Sequence, residues 1–71
     1  MTDTENRNTK RVVIIPAYEP PSIFPSYTEE LSAAAVDAII VVDDGSGEAF
    51  AERFAAVRAV PKCIVLVHEA N

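Results

Sequence analysis

The sequence predicts an α/β fold, a three-stranded parallel sheet built as a β-α-β-α-β unit. Three short apolar runs, at residues 12–15, 38–42 and 63–67, are rich in β-branched side chains and are continuous rather than alternating. Such runs are typical of strands covered on both faces, as in a parallel sheet. The segments between them, residues 16–37 and 43–62, are long enough for the crossover helix that each parallel connection requires. Right-handed crossovers place the carboxyl ends of the strands at one edge, where ligands bind in such folds.

The composition bounds the class of protein. With 71 residues the chain can hold one domain at most, and the sequence predicts a disordered polar lead at residues 1–10 and the domain at residues 11–71. A net charge of -5 without a basic stripe argues against nucleic acid as a partner. No run of about 18 apolar residues is present, so no membrane span is expected in this chain. The single cysteine, Cys63, is expected to be a buried structural thiol. The lack of an internal disulfide fits a cytoplasmic location, with a parent protein at the cytoplasmic face of the membrane also compatible.

The first connection opens with a proline-rich stretch at residues 16–21 that cannot be helical. A helix can begin at Ser22, with Pro25 tolerated in its first turn because that N–H has no partner there. It can also begin at Ser26, where Ser26 and Glu29 match a capping box. The side chains expected to face the sheet are Leu31, Ala34 and Ala35.

The second connection predicts a helix more clearly. Asp44 or Ser46 is expected to cap it, and Glu48 places a negative charge in its first turn, where the helix dipole favours one. Pro61 is expected to stop it. The residues spaced to share one face and pack against the sheet are Phe50, Phe54 and Val57.

Two adjacent carboxylates follow the second strand. Because side chains alternate along an extended chain, one of Asp43 and Asp44 is expected to point inward and the other toward the crevice. Gly45 and Gly47 permit a positive φ and the close approach of a ligand. A helix cap with a tight turn would explain Ser46 and one aspartate, but not both aspartates. The loop fits the dinucleotide fingerprint, the phosphate-binding P-loop and the D-x-D-x-T phosphatase motif poorly.

An aromatic side chain follows the first strand. Pro16 cannot donate to the ladder and is expected to end that strand. Tyr18 offers a flat ring and a phenol, which suit stacking on a base while the hydroxyl binds a polar neighbour. A single tyrosine after a strand is more often a surface or packing residue, so a functional interpretation depends on its pairing with the acidic loop.

Three segments follow one another in a recognisable order: Val-Val-Ile-Ile-Pro-Ala-Tyr-Glu at 12–19, Ile-Ile-Val-Val-Asp-Asp-Gly-Ser-Gly at 39–47 and Val-Leu-Val-His-Glu-Ala-Asn at 65–71. Together they resemble the opening of the family 2 glycosyltransferases, which have the Rossmann-like GT-A fold. The family usually has I-P-A-Y-N, then V-V-D-D-G-S, then a strand that leads to an Asn. Order and spacing agree over essentially all of residues 11–71, with Glu19 in place of the usual Asn as a mild departure.

The resemblance implies an enzyme that transfers a sugar from a nucleotide-diphosphate-sugar donor, with UDP as the expected nucleotide, to an acceptor. It implies that Tyr18 forms part of the wall of the base-binding site and that Asp44 accepts a hydrogen bond from the imide N–H of the base. Asp43 would support the loop. The nucleotide-binding residues implied by the resemblance are Pro16, Ala17, Tyr18, Glu19, Asp43, Asp44 and Asn71.

The catalytic and metal-binding parts implied by the resemblance are expected beyond this sequence. A D-x-D motif of the family binds Mg or Mn, which stabilises the leaving diphosphate, and no segment here matches that motif. The chain is therefore expected to be a fragment of a partial GT-A domain, truncated before the metal motif. It is expected to bind no metal, to hold no catalytic residue and to be inactive alone, with the divalent metal in the full-length enzyme. His68 and Glu69 lack a metal-ligand spacing, and His68 is expected to be a strand-end polar residue.

Two other hypotheses stay open. One is a non-enzymatic nucleotide-binding or interaction fragment that forms a homo-oligomer through an exposed strand edge. The other is a receiver-like Mg-binding domain that uses Asp43 and Asp44. That fold needs a phosphoacceptor aspartate at the end of its third strand, where this chain has His68 and Glu69.

Overall fold

A computed structural model describes residues 10–68 as a small α/β domain, a three-stranded parallel sheet with two helices. The predicted element order and the parallel pairing are confirmed. Residues 1–9 and 69–71 lie outside the described part, which leaves the expected lead at 1–10 and the expected site residue Asn71 untested. In chain order the elements are β1 (Val12–Ala17), α1 (Phe24–Ser32), β2 (Ala38–Asp43), a 3₁₀ turn (Glu48–Phe50), α2 (Ala51–Arg58) and β3 (Cys63–Val67).

The register brings the carboxyl ends of the three strands level with one another. β2 is central and pairs in parallel with β1 on one side and β3 on the other. Asp43, the last residue of β2, is opposite Ala17 in β1 and Val67 in β3, which are themselves the last residues of their strands. The loops that follow the strands therefore leave the sheet side by side.

The core lies between the central strand and the two helices. Ile39 and Val41 of β2 and Val57 of α2 are fully buried, and Phe54 of α2 is 2% exposed. The ring of Phe24, from the first turn of α1, meets the ring of Phe54 edge-on with centroids 6.4 Å apart. Burial of such side chains stabilises a fold by about 25 cal/mol for each Å² removed from water, so this cluster holds the helices on the sheet.

The opposite face of the sheet is apolar and exposed, which differs from the expectation of strands covered on both faces. Because the strand order is β1-β2-β3, both crossovers run in the same direction, and right-handed connections then place both helices on the same side. Ile14 is 63% exposed, and Ile64 and Leu66 are about half exposed. We refer to this surface as the open face, formed by Val12, Ile14, Pro16, Ala38, Ile40, Val42, Ile64 and Leu66.

Helix α1 begins without a side-chain cap. Its N-cap is Ile23 in a helical conformation, and Pro25 occupies the first turn, where a missing N–H costs nothing. The expected capping box of Ser26 and Glu29 is wrong, because both residues lie inside the helix. The alternative start at Ser22 agrees with the structure to within two residues.

The inward side of α1 differs from the prediction. The helix ends at Ser32, so Ala34 and Ala35 lie beyond it and are exposed. The buried side chains of α1 are those of Phe24 and Thr28, and Leu31 packs at the margin of the core as expected. The Thr28 hydroxyl donates to the Pro25 carbonyl oxygen at 2.7 Å, so its full burial leaves no unpaired polar atom.

Helix α2 follows the 3₁₀ turn, and neither Asp44 nor Ser46 caps it. The residue before the turn is Gly47, which has a φ of +89° and makes no side-chain cap. Glu48 begins the 3₁₀ turn rather than α2, and the acidic residue in the first turn of α2 is Glu52. The predicted apolar stripe is confirmed by the packing of Phe50, Phe54 and Val57.

Neither helix described between residues 10 and 68 is long and apolar enough to cross a membrane.

The turn into β3 is held by a lysine in an unusual conformation. Helix α2 has already ended when the chain reaches Pro61, and Lys62 then adopts a φ of +72°. Its ammonium group donates to the carbonyl oxygens of Ser32 and Val36, both at 3.0 Å. Its carbonyl oxygen accepts from the Ile39 N–H at 2.8 Å. The turn is thereby attached both to the end of α1 and to the start of β2.

Cys63, the first residue of β3, is only partly buried and packs at the margin of the core. Burial raises the pKa of its thiol, and a hydrogen bond with Thr28 opposes that rise in part. A raised pKa keeps the sulfur protonated near neutral pH and therefore weakly nucleophilic. This agrees with the expected structural role, although the burial is less complete than predicted.

Candidate functional site

The main chain continues the strand ladder one step past each strand end. The Asp44 N–H donates to the Ala17 carbonyl oxygen at 2.9 Å, and the His68 N–H donates to the Asp43 carbonyl oxygen at 2.7 Å. The segments that follow β1, β2 and β3 therefore lie together at one edge, as the sequence predicts. Asp44 occupies the centre of this edge.

The two adjacent aspartates point to different surroundings, as alternation predicts. Asp43 is buried, with 9% exposure, and its Oδ1 accepts a hydrogen bond from the Ser46 N–H at 3.0 Å. This contact closes the loop over two residues, with Gly45 at a φ of +78°. The side chain of Asp44 is 48% exposed and is directed away from the core. Asp43 therefore shapes the loop, and Asp44 presents its carboxylate to solvent.

The Asp44 carboxylate contacts the residue that follows β3. Its Oδ1 lies 2.8 Å from Nδ1 of His68, whose side chain is 61% exposed. The sequence predicts only a strand-end polar role for His68, and this contact was missed. The signal that reveals it is the register, because the pairing of Asp43 with Val67 makes Asp44 and His68 neighbours in the next position.

Two exposed residues follow β1. Glu19 has a φ of +47°, in the left-handed region, and its main-chain N–H donates to the Ser46 hydroxyl oxygen at 2.8 Å. Tyr18 is 60% exposed. A hydrogen bond with the Glu19 carboxylate raises the pKa of the Tyr18 phenol, and the negative charges of Glu19 and Asp44 add to the effect. Tyr18 is thus within electrostatic reach of Asp44 on the neighbouring strand end.

Pro16 does not end β1, contrary to expectation. The strand extends to Ala17, and Pro16 is opposite Val42 of β2. Because the Ala17 carbonyl oxygen points toward β2, the nitrogen of the preceding Pro16 faces the outer side of the strand, where no donor is required. Ala17 is 7% exposed, so its side chain belongs to the core and only its main chain reaches the edge.

Arg53 attaches α2 to the loop after β1. Its Nη1 donates to the carbonyl oxygen of Pro20 at 2.7 Å, and its guanidinium lies 5.2 Å from the centroid of the Phe50 ring. Together with the contact between Glu19 and Ser46, this bond fixes the segment that carries Tyr18.

An open cleft of about 420 Å³ lies beside the acidic loop, between the end of β3 and helix α2. The charged residues that line it are Asp43, Glu48 and Arg58. Among the predicted site residues that the structure describes, only Asp43 lines this cleft. Arg58 was not predicted, because its place in the cleft depends on how α2 packs on the sheet.

The edge can accept N–H groups and can offer a flat ring. The exposed carboxylate of Asp44 and the exposed ring of Tyr18 supply those two capacities. Within residues 10–68, no group of three or more His, Cys, Asp and Glu side chains could hold a metal ion. An exposed ring beside an exposed carboxylate suits the binding of a planar ligand that donates a hydrogen bond.

Comparison of the chain with protein-family models, with curated proteins and with solved structures gives no significant match. The geometry of the strand ends, together with the sequence motifs found there, is therefore the basis for a functional assignment.

Proposed function

We propose that this chain is the nucleotide-binding part of a glycosyltransferase of family 2, with a GT-A type domain and a UDP-sugar as donor. The observation that carries the proposal is the juxtaposition of Tyr18 and Asp44 at the carboxyl edge of a parallel sheet. Ligands of open parallel α/β sheets bind outside this edge. The resemblance of residues 12–19 and 39–47 to the family supports the proposed family, and the position of these residues at the carboxyl edge supports a ligand site there.

In this proposal Tyr18 stacks on the base, and Asp44 recognises the base through a hydrogen bond. The exposed tyrosine ring offers a flat apolar surface, and the carboxylate accepts the N–H at position 3 of uracil. A hydrogen bond to a charged group contributes about 1.5–3 kcal/mol. Cytosine carries an acceptor instead of a donor at the same ring atom, so UDP is expected to bind more tightly than CDP.

The proposal assigns donor binding to this chain and sugar transfer to the parent enzyme. Transfer needs a divalent metal, Mg or Mn, to stabilise the leaving diphosphate, and the resemblance places its ligands outside this sequence. The isolated chain is therefore proposed to bind the nucleotide without transferring a sugar.

An NMR titration of the isotope-labelled chain with UDP tests the proposal. We expect saturable shifts of the Tyr18 and Asp44 amides, binding of CDP that is weaker by about tenfold or more, and a similar weakening of UDP binding in Asp44→Ala. Glu52→Ala is the matched control, since it removes one carboxylate from the exposed side of α2. Equal affinities for UDP and CDP, or an Asp44→Ala variant that binds like Glu52→Ala, would contradict the proposal.

The open face favours a second candidate, a self-associating α/β fragment without enzymatic activity. Large contiguous apolar patches on a protein surface mark interaction sites. In the described part of the chain, the outer sides of β1 and β3 also carry no paired strand. Sedimentation over a range of concentrations distinguishes the two candidates. A chain that stays monomeric excludes self-association, whereas an oligomer that dissociates in the Ile14→Thr, Leu66→Thr double variant supports it.

A further inference from the structure

His68, the first residue after β3, is attached to the loop after β2 at two points. Its main-chain N–H donates to the Asp43 carbonyl oxygen at 2.7 Å. Its imidazole Nδ1 lies 2.8 Å from Oδ1 of Asp44. Recognition of a base by a carboxylate does not in itself need an imidazole, so the side-chain contact requires its own explanation.

The contact defines which ring nitrogen carries the proton. An ionised carboxylate only accepts hydrogen bonds, so Nδ1 of His68 must be protonated to bond Oδ1 of Asp44. Both the neutral Nδ1–H tautomer and the imidazolium ion meet this condition. The contact therefore has a spectroscopic signature that does not depend on any ligand.

Asp44 is fixed from both neighbouring strands. On the β1 side its N–H donates to the Ala17 carbonyl oxygen at 2.9 Å, which fixes its main chain. On the β3 side the imidazole of His68 fixes the direction of its carboxylate. A carboxylate can accept several hydrogen bonds at once, and this side chain is 48% exposed, so a ligand can reach it while the imidazole is bound.

We propose that His68 is a positioning residue that orients the Asp44 carboxylate toward the imide N–H of a uracil-type base, an inference that rests on the proposed nucleotide-binding function. The ligand class is a nucleoside diphosphate whose base donates a hydrogen bond at its pairing edge. Orientation matters because a hydrogen bond weakens steeply as its angle departs from linear. Without the imidazole the carboxylate loses the contact that holds it from the β3 side, so its alignment with the base is less well defined.

Titration of the full chain with UDP and CDP tests this role in three proteins, the wild type, His68→Ala and His68→Asn. The first variant removes the donor, and the second restores an N–H close to the position of Nδ1. We expect His68→Ala to weaken UDP binding roughly 3- to 10-fold, the range for one hydrogen bond, and His68→Asn to recover most of that loss. CDP should bind all three alike. Equal UDP affinity in the wild type and His68→Ala would overturn the positioning role and leave the proposed function intact.

The nitrogen-resolved NMR spectrum of the imidazole gives a second readout without nucleotide. His68 is the only histidine in the sequence, so its signals are unambiguous. We expect a protonated Nδ1 in the wild type and a changed tautomer balance in Asp44→Ala. A wild type with the proton on Nε2 alone would overturn the inference. A wild type with a protonated Nδ1 that fails to bind UDP would overturn the proposed function, and the ligand role of His68 with it.

Discussion

The hydroxyl oxygen of Ser46 lies 2.8 Å from the main-chain nitrogen of Glu19 and accepts its hydrogen bond. Ser46 is itself fixed, because its N–H donates to the buried carboxylate of Asp43 at 3.0 Å. These two bonds connect the end of β2 to the loop after β1. The position of Tyr18, which precedes Glu19, therefore depends on the acidic loop of the neighbouring strand.

Replacement of Ser46 by alanine should destabilise the chain. The substitution removes the acceptor of the Glu19 N–H from a part-buried contact, because Ser46 is buried, and this costs about 1–2 kcal/mol in the free energy of unfolding. Urea denaturation followed by circular dichroism measures the change. Ser32→Ala is the matched control, because its exposed hydroxyl bonds only to Glu29 in its own helix, and a change within about 0.5 kcal/mol is expected. Equal losses in the two variants would show that the bond between the loops contributes nothing.

Replacement of Glu19 by asparagine should stabilise the chain. Glu19 has a φ of +47°, and a left-handed conformation costs most side chains about 1–2 kcal/mol, whereas asparagine adopts it readily. We expect Glu19→Asn to raise the free energy of unfolding by about 0.5–1 kcal/mol. Glu19→Gln keeps the strained backbone and removes the charge, so it serves as the control. If both variants have the same stability, the backbone conformation is not the cause.

The pKa of Tyr18 should fall when the carboxylate of Glu19 is removed. The hydrogen bond with Glu19 is the largest cause of the raised pKa, and the charge of Glu19 is the next. Titration of phenolate absorbance in a Tyr27→Phe background, which leaves Tyr18 as the only tyrosine, should show a lower pKa in Glu19→Gln. Glu52→Gln, on the exposed side of α2, should leave that pKa unchanged.

The same shift predicts how stability depends on pH. Because the folded pKa of Tyr18 lies above the unfolded value of about 10, the folded chain keeps the phenol proton at pH values where the unfolded chain has lost it. The stabilising contribution is therefore present below about pH 10 and is lost as the pH rises through the folded pKa. Urea midpoints measured on both sides of pH 10 should fall less in Glu19→Gln than in the wild type. An equal fall would contradict the assigned cause.

The strands could be predicted from the sequence because their signal is local. Continuous β-branched runs predict three strands of a parallel sheet before any contact is known, although β1 extends through Pro16 to Ala17 and one face of the sheet is exposed. The start of α1 could not be predicted with the same accuracy. Ser26 and Glu29 match a capping box, but burial of Phe24 against Phe54 begins the helix earlier, and tertiary packing outweighs the local cap.

Of the candidate site, too, only some features could be predicted from the sequence. The opposite directions of Asp43 and Asp44 follow from alternation along one strand, so the sequence predicts them. The contact of Asp44 with His68 and the place of Arg58 in the cleft involve separate elements, and they depend on register and on helix packing. Neither the register between strands nor the packing of the helix on the sheet can be determined from a single sequence. The contributions of residues 69–71, which include the predicted site residue Asn71, remain predictions.

The two faces of the sheet should respond differently to the loss of one methylene group. Ile39 is fully buried against the helices, whereas Ile64 on the open face is 51% exposed. We expect Ile39→Val to cost about 1 kcal/mol in the free energy of unfolding and Ile64→Val to cost a few tenths at most. Urea denaturation at low protein concentration measures both.

This matched pair also tests whether the open face is covered in solution. The two substitutions are chemically identical and both lie within strands, so the main difference between them is burial, together with the central position of β2 and the edge position of β3. If Ile64→Val costs as much as Ile39→Val, another surface covers the open face. A cost for Ile64→Val that grows with protein concentration would identify that surface as a second copy of this chain, because only self-association makes stability depend on concentration under otherwise fixed conditions.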